Sequence, residues 1–147
     1  MFRYRLETLL KFRKTVEDEG KRLLAEANRR YLEESGRIAA LNAKKAEMMG
    51  MIAEMTAKSP DVGLMMIYDG YLNGYETDLR DEMAKAEQAR VIMEMERQKL
   101  VEARKKRRIL ERHREILKER YEAGESRKEQ IQADETAIMR FSGRKTQ

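Results

Sequence analysis

Lys58-Ser59-Pro60-Asp61-Val62-Gly63 carries the only proline of the chain and lies between two long stretches with almost no other strong helix breaker. Proline has no amide proton and clashes with the preceding turn, so it ends a helix at a cost of ~3 kcal/mol or more. The residue before it is pushed towards extended geometry, and with Gly63 close behind the segment reads as a turn. The pattern predicts a helix over about 3–57, a turn over about 58–63, a helix over about 64–140 and a disordered tail at 141–147. The expected fold is all-α: a single long antiparallel two-helix coiled-coil hairpin with unequal arms.

Composition agrees with a rod rather than a globular enzyme. Charged residues make up 40% of the 147 residues, aromatics only 6%, and tryptophan is absent. A chain rich in Ala, Glu, Lys, Leu and Arg with short-period apolar spacing points to a long helix or coiled coil. Burying one seam and exposing the rest accounts for a mean hydropathy of -0.84. With no cysteine, disulfides and cysteine metal sites are excluded, which fits a reducing compartment. The opening residues contain no uninterrupted apolar run of the secretory type. No stretch approaches the ~20 apolar residues of a spanning helix. The expectation is a soluble intracellular protein with no transmembrane segment.

In the first arm Phe2, Leu6, Leu9, Val16, Leu23 and Ala27 step by threes, fours and sevens. The stripe then drifts by one position through Leu24, Ala27, Tyr31, Ile38, Leu41, Met48, Ile52 and Met55. That is a heptad-like seam, with the drift expected when 3.6 residues per turn meet a seven-residue repeat. Arg13, Gly20, Glu34 and Lys45 fall on or beside it, and Gly20 predicts a locally loose spot. Glu7/Lys11, Glu17/Lys21 and Glu33/Arg37 are acid-before-base pairs at i,i+4. The second arm is cleaner. Met65, Leu72, Leu79, Ala86, Met93 and Leu100 recur at intervals of seven, beside Tyr68, Tyr75, Ala89, Ala103, Leu110, Leu117, Ile131 and Ile138. At 1.5 Å per residue the arms would measure roughly 80 and 115 Å. Folding back at Pro60 pairs residues whose numbers sum to about 120. The N-terminus then reaches only Arg120, and ~20 residues of the second helix overhang with apolar side chains left over.

Signals for catalysis are poor. His113, between Arg112 and Arg114, reads as a spacer on a solvated face, and no serine or cysteine nucleophile has a base partner. Gly70 and Gly74 lack the Gly-Lys-Ser/Thr ending of a phosphate loop. No metal or cofactor site and no enzyme activity are predicted. The basic run Arg104-Lys105-Lys106-Arg107-Arg108 could neutralise phosphates. However, Glu94, Glu96, Glu102, Glu111, Glu115 and Glu119 interleave with it, and the net charge is only +5. Nucleic acid is therefore disfavoured as a partner. Met48, Met49, Met51, Met55, Met65 and Met66 crowd the turn with Tyr68, Tyr71 and Tyr75. One seam cannot hide them all, so Met49 and Tyr71 should project outward as a contact surface.

The opening Phe2-x-Tyr4-x-Leu6-Glu7-x-Leu9-Leu10-x-x-Arg13, followed by Glu17, resembles the start of the FliJ family of flagellar export proteins. Leu100-Val101-Glu102-Ala103-Arg104, continuing to Leu110-Glu111, resembles that family's basic segment. Asp134-Glu135-x-Ala137-x-x-Arg140 is similar to its acidic-then-basic tail. The resemblance implies a coiled-coil hairpin similar to the gamma shaft of rotary ATPases. It also implies work in flagellar type III protein export, and so in motility, as a cytoplasmic protein peripherally associated with the inner membrane at the flagellar base. Implied partners are the hexameric flagellar export ATPase, an export-gate membrane protein and export chaperones. Phe2, Leu6, Leu9, Arg13, Ile131, Ile138 and Arg140 would face the ATPase. Leu41, Met48, Met49, Tyr71 and Tyr75 would meet the gate. The competing readings are the stalk of a virulence-type injectisome, and a generic coiled-coil tether or basic nucleic-acid-binding rod.

Overall fold

The computed structural model describes residues 1–145 and contains two α-helices, α1 (Glu7–Lys58) and α2 (Val62–Lys145). They pack together as an antiparallel coiled coil with arms of 52 and 84 residues. Long helices form because three glycines interrupt α1 and nothing stronger does, and because side chains three and four apart pair along the outer faces. Arg22 reaches both Glu19, at 2.6 Å, and Glu26, at 3.4 Å, and Arg90 reaches Glu87 at 2.7 Å. Such exposed pairs contribute roughly 0.2–0.5 kcal/mol each. Two expected pairs are re-partnered: Glu7 turns across to Arg114 at 3.2 Å, and Arg37 takes Glu34 at 3.1 Å.

The turn is tighter than Pro60 and Gly63 alone imply. Residues 59–61 suffice, because Asp61 caps α2: its Oδ1 accepts the amides of Gly63 at 3.0 Å and Leu64 at 3.3 Å. A side-chain acceptor at the N-cap satisfies donors that a helix start leaves free. Gly63 is therefore inside the first turn of α2 rather than in the connection, and no described residue has positive φ. At the other end α2 continues through Lys145, past the expected stop at Arg140. Nothing in 141–145 stops a helix: Gly143 costs only ~1 kcal/mol, and the basic last turn, Arg144 and Lys145, suits a helix C-terminus. Residues 146–147 of the expected tail lie outside the described residues. The N-terminal residues before Glu7 are not helical; the Tyr4 carbonyl accepts the Glu7 amide at 3.2 Å.

The chain packs as two units, one of Asp18–Val101 and one of Met1–Glu17 with Glu102–Gln147. In the first, the tip unit, the seam row of α1 is Gly20, Leu24, Ala27, Tyr31, Glu34, Ile38, Leu41, Lys45, Met48, Ile52 and Met55, all shielded, with Leu23, Glu26 and Ser35 half-buried beside it. These step by three and four without a break, and they face Met65, Tyr68, Leu72, Tyr75, Leu79, Glu82, Ala86, Ala89, Met93, Glu96 and Leu100 on α2. In the second, the terminal unit, Leu6, Leu10, Arg13 and Glu17 lie opposite Ala103, Arg107, Leu110, Leu117 and Tyr121. The one-position drift read from the sequence is absent. Leu10, at 1% exposure, and Glu17, at 5%, occupy the seam where Leu9 and Val16 had been expected; those two lie outside it at 38% and 37%. Gly20 is not a loose spot either. A Cβ built there would stand 3.3 Å from Leu100 Cδ1, so the missing side chain lets a buried leucine approach the α1 backbone.

Candidate functional site

In the terminal unit the non-helical N-terminus is held by two aromatic side chains, Phe2 and Tyr4, and by the Met1 ammonium. The Tyr4 ring is buried, its hydroxyl lies 3.2 Å from the Leu110 carbonyl, to which it donates, and 2.8 Å from His113 Nδ1. His113, read from the sequence as a solvated spacer, is thus a partner of Tyr4, with ring centroids 5.6 Å apart. The Phe2 ring lies 5.8 Å from that of Tyr121, and the Met1 ammonium donates to the Tyr121 hydroxyl at 2.7 Å. One level further in, the Glu17 carboxylate sits in the seam between Arg104, at 3.5 Å, and Arg107, which it contacts closely. Arg107 also contacts Glu111, which Lys14 approaches at 3.8 Å. Hydrogen bonding to Glu17 pushes the Arg107 pKa upward. The basic run at 104–108 is accordingly split: Arg104, Lys105 and Arg107 are engaged by Glu17, Glu102 and Glu111.

Beyond Glu125, α2 has no cover: every described residue from 126 to 145 is exposed. Ile131 is 50%, Ile138 66%, Met139 73% and Phe141 64% exposed. Ile131 and Ile138 continue one row of the seam. The other row holds Lys128 and Glu135 there, so the overhang carries half a seam. Of the residues expected to face an ATPase, Phe2, Leu6 and Arg13 are half-buried in the terminal unit, while Leu9, Ile131, Ile138 and Arg140 are exposed. The Arg13 guanidinium lies 5.7 Å over the Phe12 ring.

The tip unit presents the other apolar surface. Met49 and Tyr71 are 53% and 58% exposed, but Leu41, Met48 and Tyr75 line the seam and are half-buried. Met51, Met66 and Ile67, which the expected gate-facing set omitted, are exposed at 46%, 71% and 58%. Their heptad positions outside the seam were the signal that could have found them. Polar layers interrupt this unit. Lys45 Nζ reaches Glu76 at 3.4 Å. Glu34 and Glu82 face each other with their Oε2 atoms buried and lacking a hydrogen-bond partner. Set carboxyl to carboxyl, the two can gain a hydrogen bond only when one carries a proton, which pushes Glu34 above the ordinary carboxylate value and holds Glu82 below it.

Among the described residues no cluster of His, Cys, Asp or Glu could hold a metal ion. None of the described helices is long and apolar enough to cross a membrane. An antiparallel coiled coil of unequal arms, with apolar surface exposed at the tip and along an uncovered helix end, defines a two-helix coiled-coil protein. The chain matches the family described as Flagellar FliJ protein over residues 1–146, and it belongs to that family. It is thus a protein associated with type III export, from a family of non-catalytic export components. Among solved structures it is similar to a YscO homologue, CT670, from Chlamydia trachomatis, at 18% identity and a TM-score of 0.56. That likeness covers 100% of this chain and 99% of the other and concerns the fold. No curated protein matches the chain.

Proposed function

We propose that the protein docks by its terminal unit in the ring of the flagellar export ATPase, promotes ATP hydrolysis there and couples the ATPase to the export gate through its tip. The observation that carries this reading is the uncovered stretch of α2 at 126–145, with Ile131 and Ile138 exposed on one row. A helix that keeps apolar seam residues beyond the end of its partner presents a surface for another protein. Phe2, Leu6, Leu9, Arg13 and Arg140 complete the ATPase-facing set. At the tip, Met49 and Tyr71 make direct gate contact, and Leu41, Met48 and Tyr75 support them from the seam. Export chaperones are further partners in this scheme. The protein works in the cytoplasm, at the inner-membrane face of the flagellar base. The engagement of Arg104 and Arg107 by Glu17 favours this reading over a nucleic-acid-binding rod, because those charges are already neutralised inside the fold.

The experiment compares ATP hydrolysis by the purified export ATPase with the full chain and with a variant ending at Glu125. The truncation removes no shielded residue among those described, so its thermal melt should match that of the full chain while stimulation falls. Equal stimulation by both proteins would overturn the assignment of the overhang to the ATPase. Leu6→Asp with Leu9→Asp tests the N-terminal face in the same assay, with helicity measured beside it.

A further inference from the structure

One flank of the tip unit carries opposite charge on its two helices. Arg37, Lys44, Asp78, Asp81 and Lys85 line a single open groove over Ala40 and Leu41. Lys85 also lines the next groove along the flank, with Arg30 and Ile92. At intervals of seven through these residues, α1 carries Leu23, Arg30, Arg37, Lys44 and Met51, and α2 carries Tyr71, Asp78, Lys85 and Ile92. Residues seven apart share one face of a coiled-coil helix, so apolar side chains bound the charged middle at both ends. Met51 and Tyr71 are 46% and 58% exposed at the end nearer the turn, and Ile92 is 48% exposed at the other. In the middle, Arg37 is held by Glu34 at 3.1 Å and Lys85 by Glu82 at 3.6 Å. Lys44 on α1 and Asp78 and Asp81 on α2 make no ion pair among the described residues.

We propose that this flank is the interface of a parallel, two-fold dimer with a second copy of the chain. A two-fold interface uses the same patch on both subunits and must be complementary to itself. About an axis parallel to the helices, α1 of one copy faces α2 of the other with every residue at its own level. Lys44 then meets Asp78 and Asp81 of the second copy, Met51 meets Tyr71, and Leu23 meets Ile92, each contact occurring twice. Arg37 and Lys85 also come level, but each is already neutralised by its own glutamate. From Leu23 to Met51 the flank is roughly 42 Å long and, being two helices wide, roughly 20 Å across. That area is on the order of the ~800 Å² per partner of a stable interface. Nucleic acid carries one sign of charge and would meet the two aspartates as well as the lysine, whereas a second copy supplies both signs in the right places. Tyr71 belongs also to the gate-facing set proposed above, so a paired copy cannot offer that side chain to the gate.

Sedimentation velocity of the full chain, from low to high micromolar concentration, tests the pairing. The mass should rise towards that of two chains, and added salt should reverse part of the rise, because exposed charges are screened. Lys44→Asp sets aspartate against Asp78 in both contacts, and Asp78→Lys sets lysine against Lys44. Each variant alone should raise the dissociation constant by about tenfold or more. Mixed in equal amounts, the two should recover the dimer as one copy of each, since both contacts then join opposite charges; that recovery also requires both variants to be folded. A chain that stays monomeric throughout, a dimer unmoved by either substitution, or a mixture no more associated than its components would each overturn the proposal. Neither ATPase nor gate is present, so the result is independent of the function proposed above.

Discussion

Glu17 and Arg107 meet inside the seam of the terminal unit, the carboxylate 6% and the guanidinium 20% exposed. Removing one partner of a shielded pair costs the hydrogen bonds it made to the other charge, although Arg107 keeps its contact with Glu111. Glu17→Ala should therefore lower the unfolding free energy by about 1.5–3 kcal/mol, read from urea midpoints at constant m-value. Replacing both residues by leucine should recover most of that loss, because well-packed apolar side chains can substitute for a buried ion pair. A double variant no more stable than Glu17→Ala would show that the pair itself is irreplaceable.

The carboxyls of Glu34 and Glu82 make the tip unit sensitive to pH, and the two shifts act in opposite directions. With its folded value raised, Glu34 keeps a proton that the unfolded chain releases, so stability is lost as pH rises above the ordinary carboxylate range. Glu82, held low, contributes stability that is lost as pH falls below that range. Glu34→Gln keeps a hydrogen-bond donor for Glu82 and cannot ionise. Its melting temperature should exceed that of the parent at pH 7, and the margin should shrink as the medium is acidified. Circular-dichroism melts between neutral and acid pH measure this; a variant that melts lower than the parent at pH 7 contradicts the upward shift at Glu34.

Two glycines of α1 should respond differently to the same substitution. Nothing stands within 4 Å of a Cβ placed on Gly36, so Gly36→Ala gains helix propensity of about 0.8–1 kcal/mol. At Gly20 the same gain meets Leu100 Cδ1 at 3.3 Å, and the buried leucine must shift. The rise in melting temperature should be larger for Gly36→Ala, and the reverse order would disprove the close approach at Gly20.

Asp61 holds the start of α2, and the cap is separable from the proline beside it. Asp61→Ala should cost about 1 kcal/mol and speed amide exchange at Gly63 and Leu64, whose donors lose their acceptor. Asp61→Asn should retain most of the cap, since asparagine caps as well as aspartate. Unchanged exchange at those two amides would show that the turn is set by Pro60 alone.

The α2 seam was legible because apolar residues recur there at sevens, and the pairing of numbers near 120 follows from one off-centre proline. Lys45 with Glu76, Glu7 with Arg114 and Met1 with Tyr121 all obey it. The α1 seam was misphased for a physical reason. Hydropathy favours Leu9 and Val16, yet the seam there holds Leu10, Arg13 and Glu17, and a charged side chain can occupy such a place when an opposite charge meets it across the interface. That compensation comes from the other helix and cannot be read in one helix's period. Exposure near the turn was legible where crowding exceeded the seam, as at Met49 and Tyr71.

The three-residue connection capped by Asp61 also bears on how the chain reaches this structure. Closing a loop costs more entropy as it lengthens, and the rungs run from Lys45–Glu76 near the turn to Met1–Tyr121, whose partners are 120 residues apart. Each rung formed near Asp61 shortens the loop that the next must close. The cheapest route is a zipper that starts at the turn and advances towards the termini, so the aromatic clasp of Phe2, Tyr4 and Tyr121 is the last part to shut and the first to open.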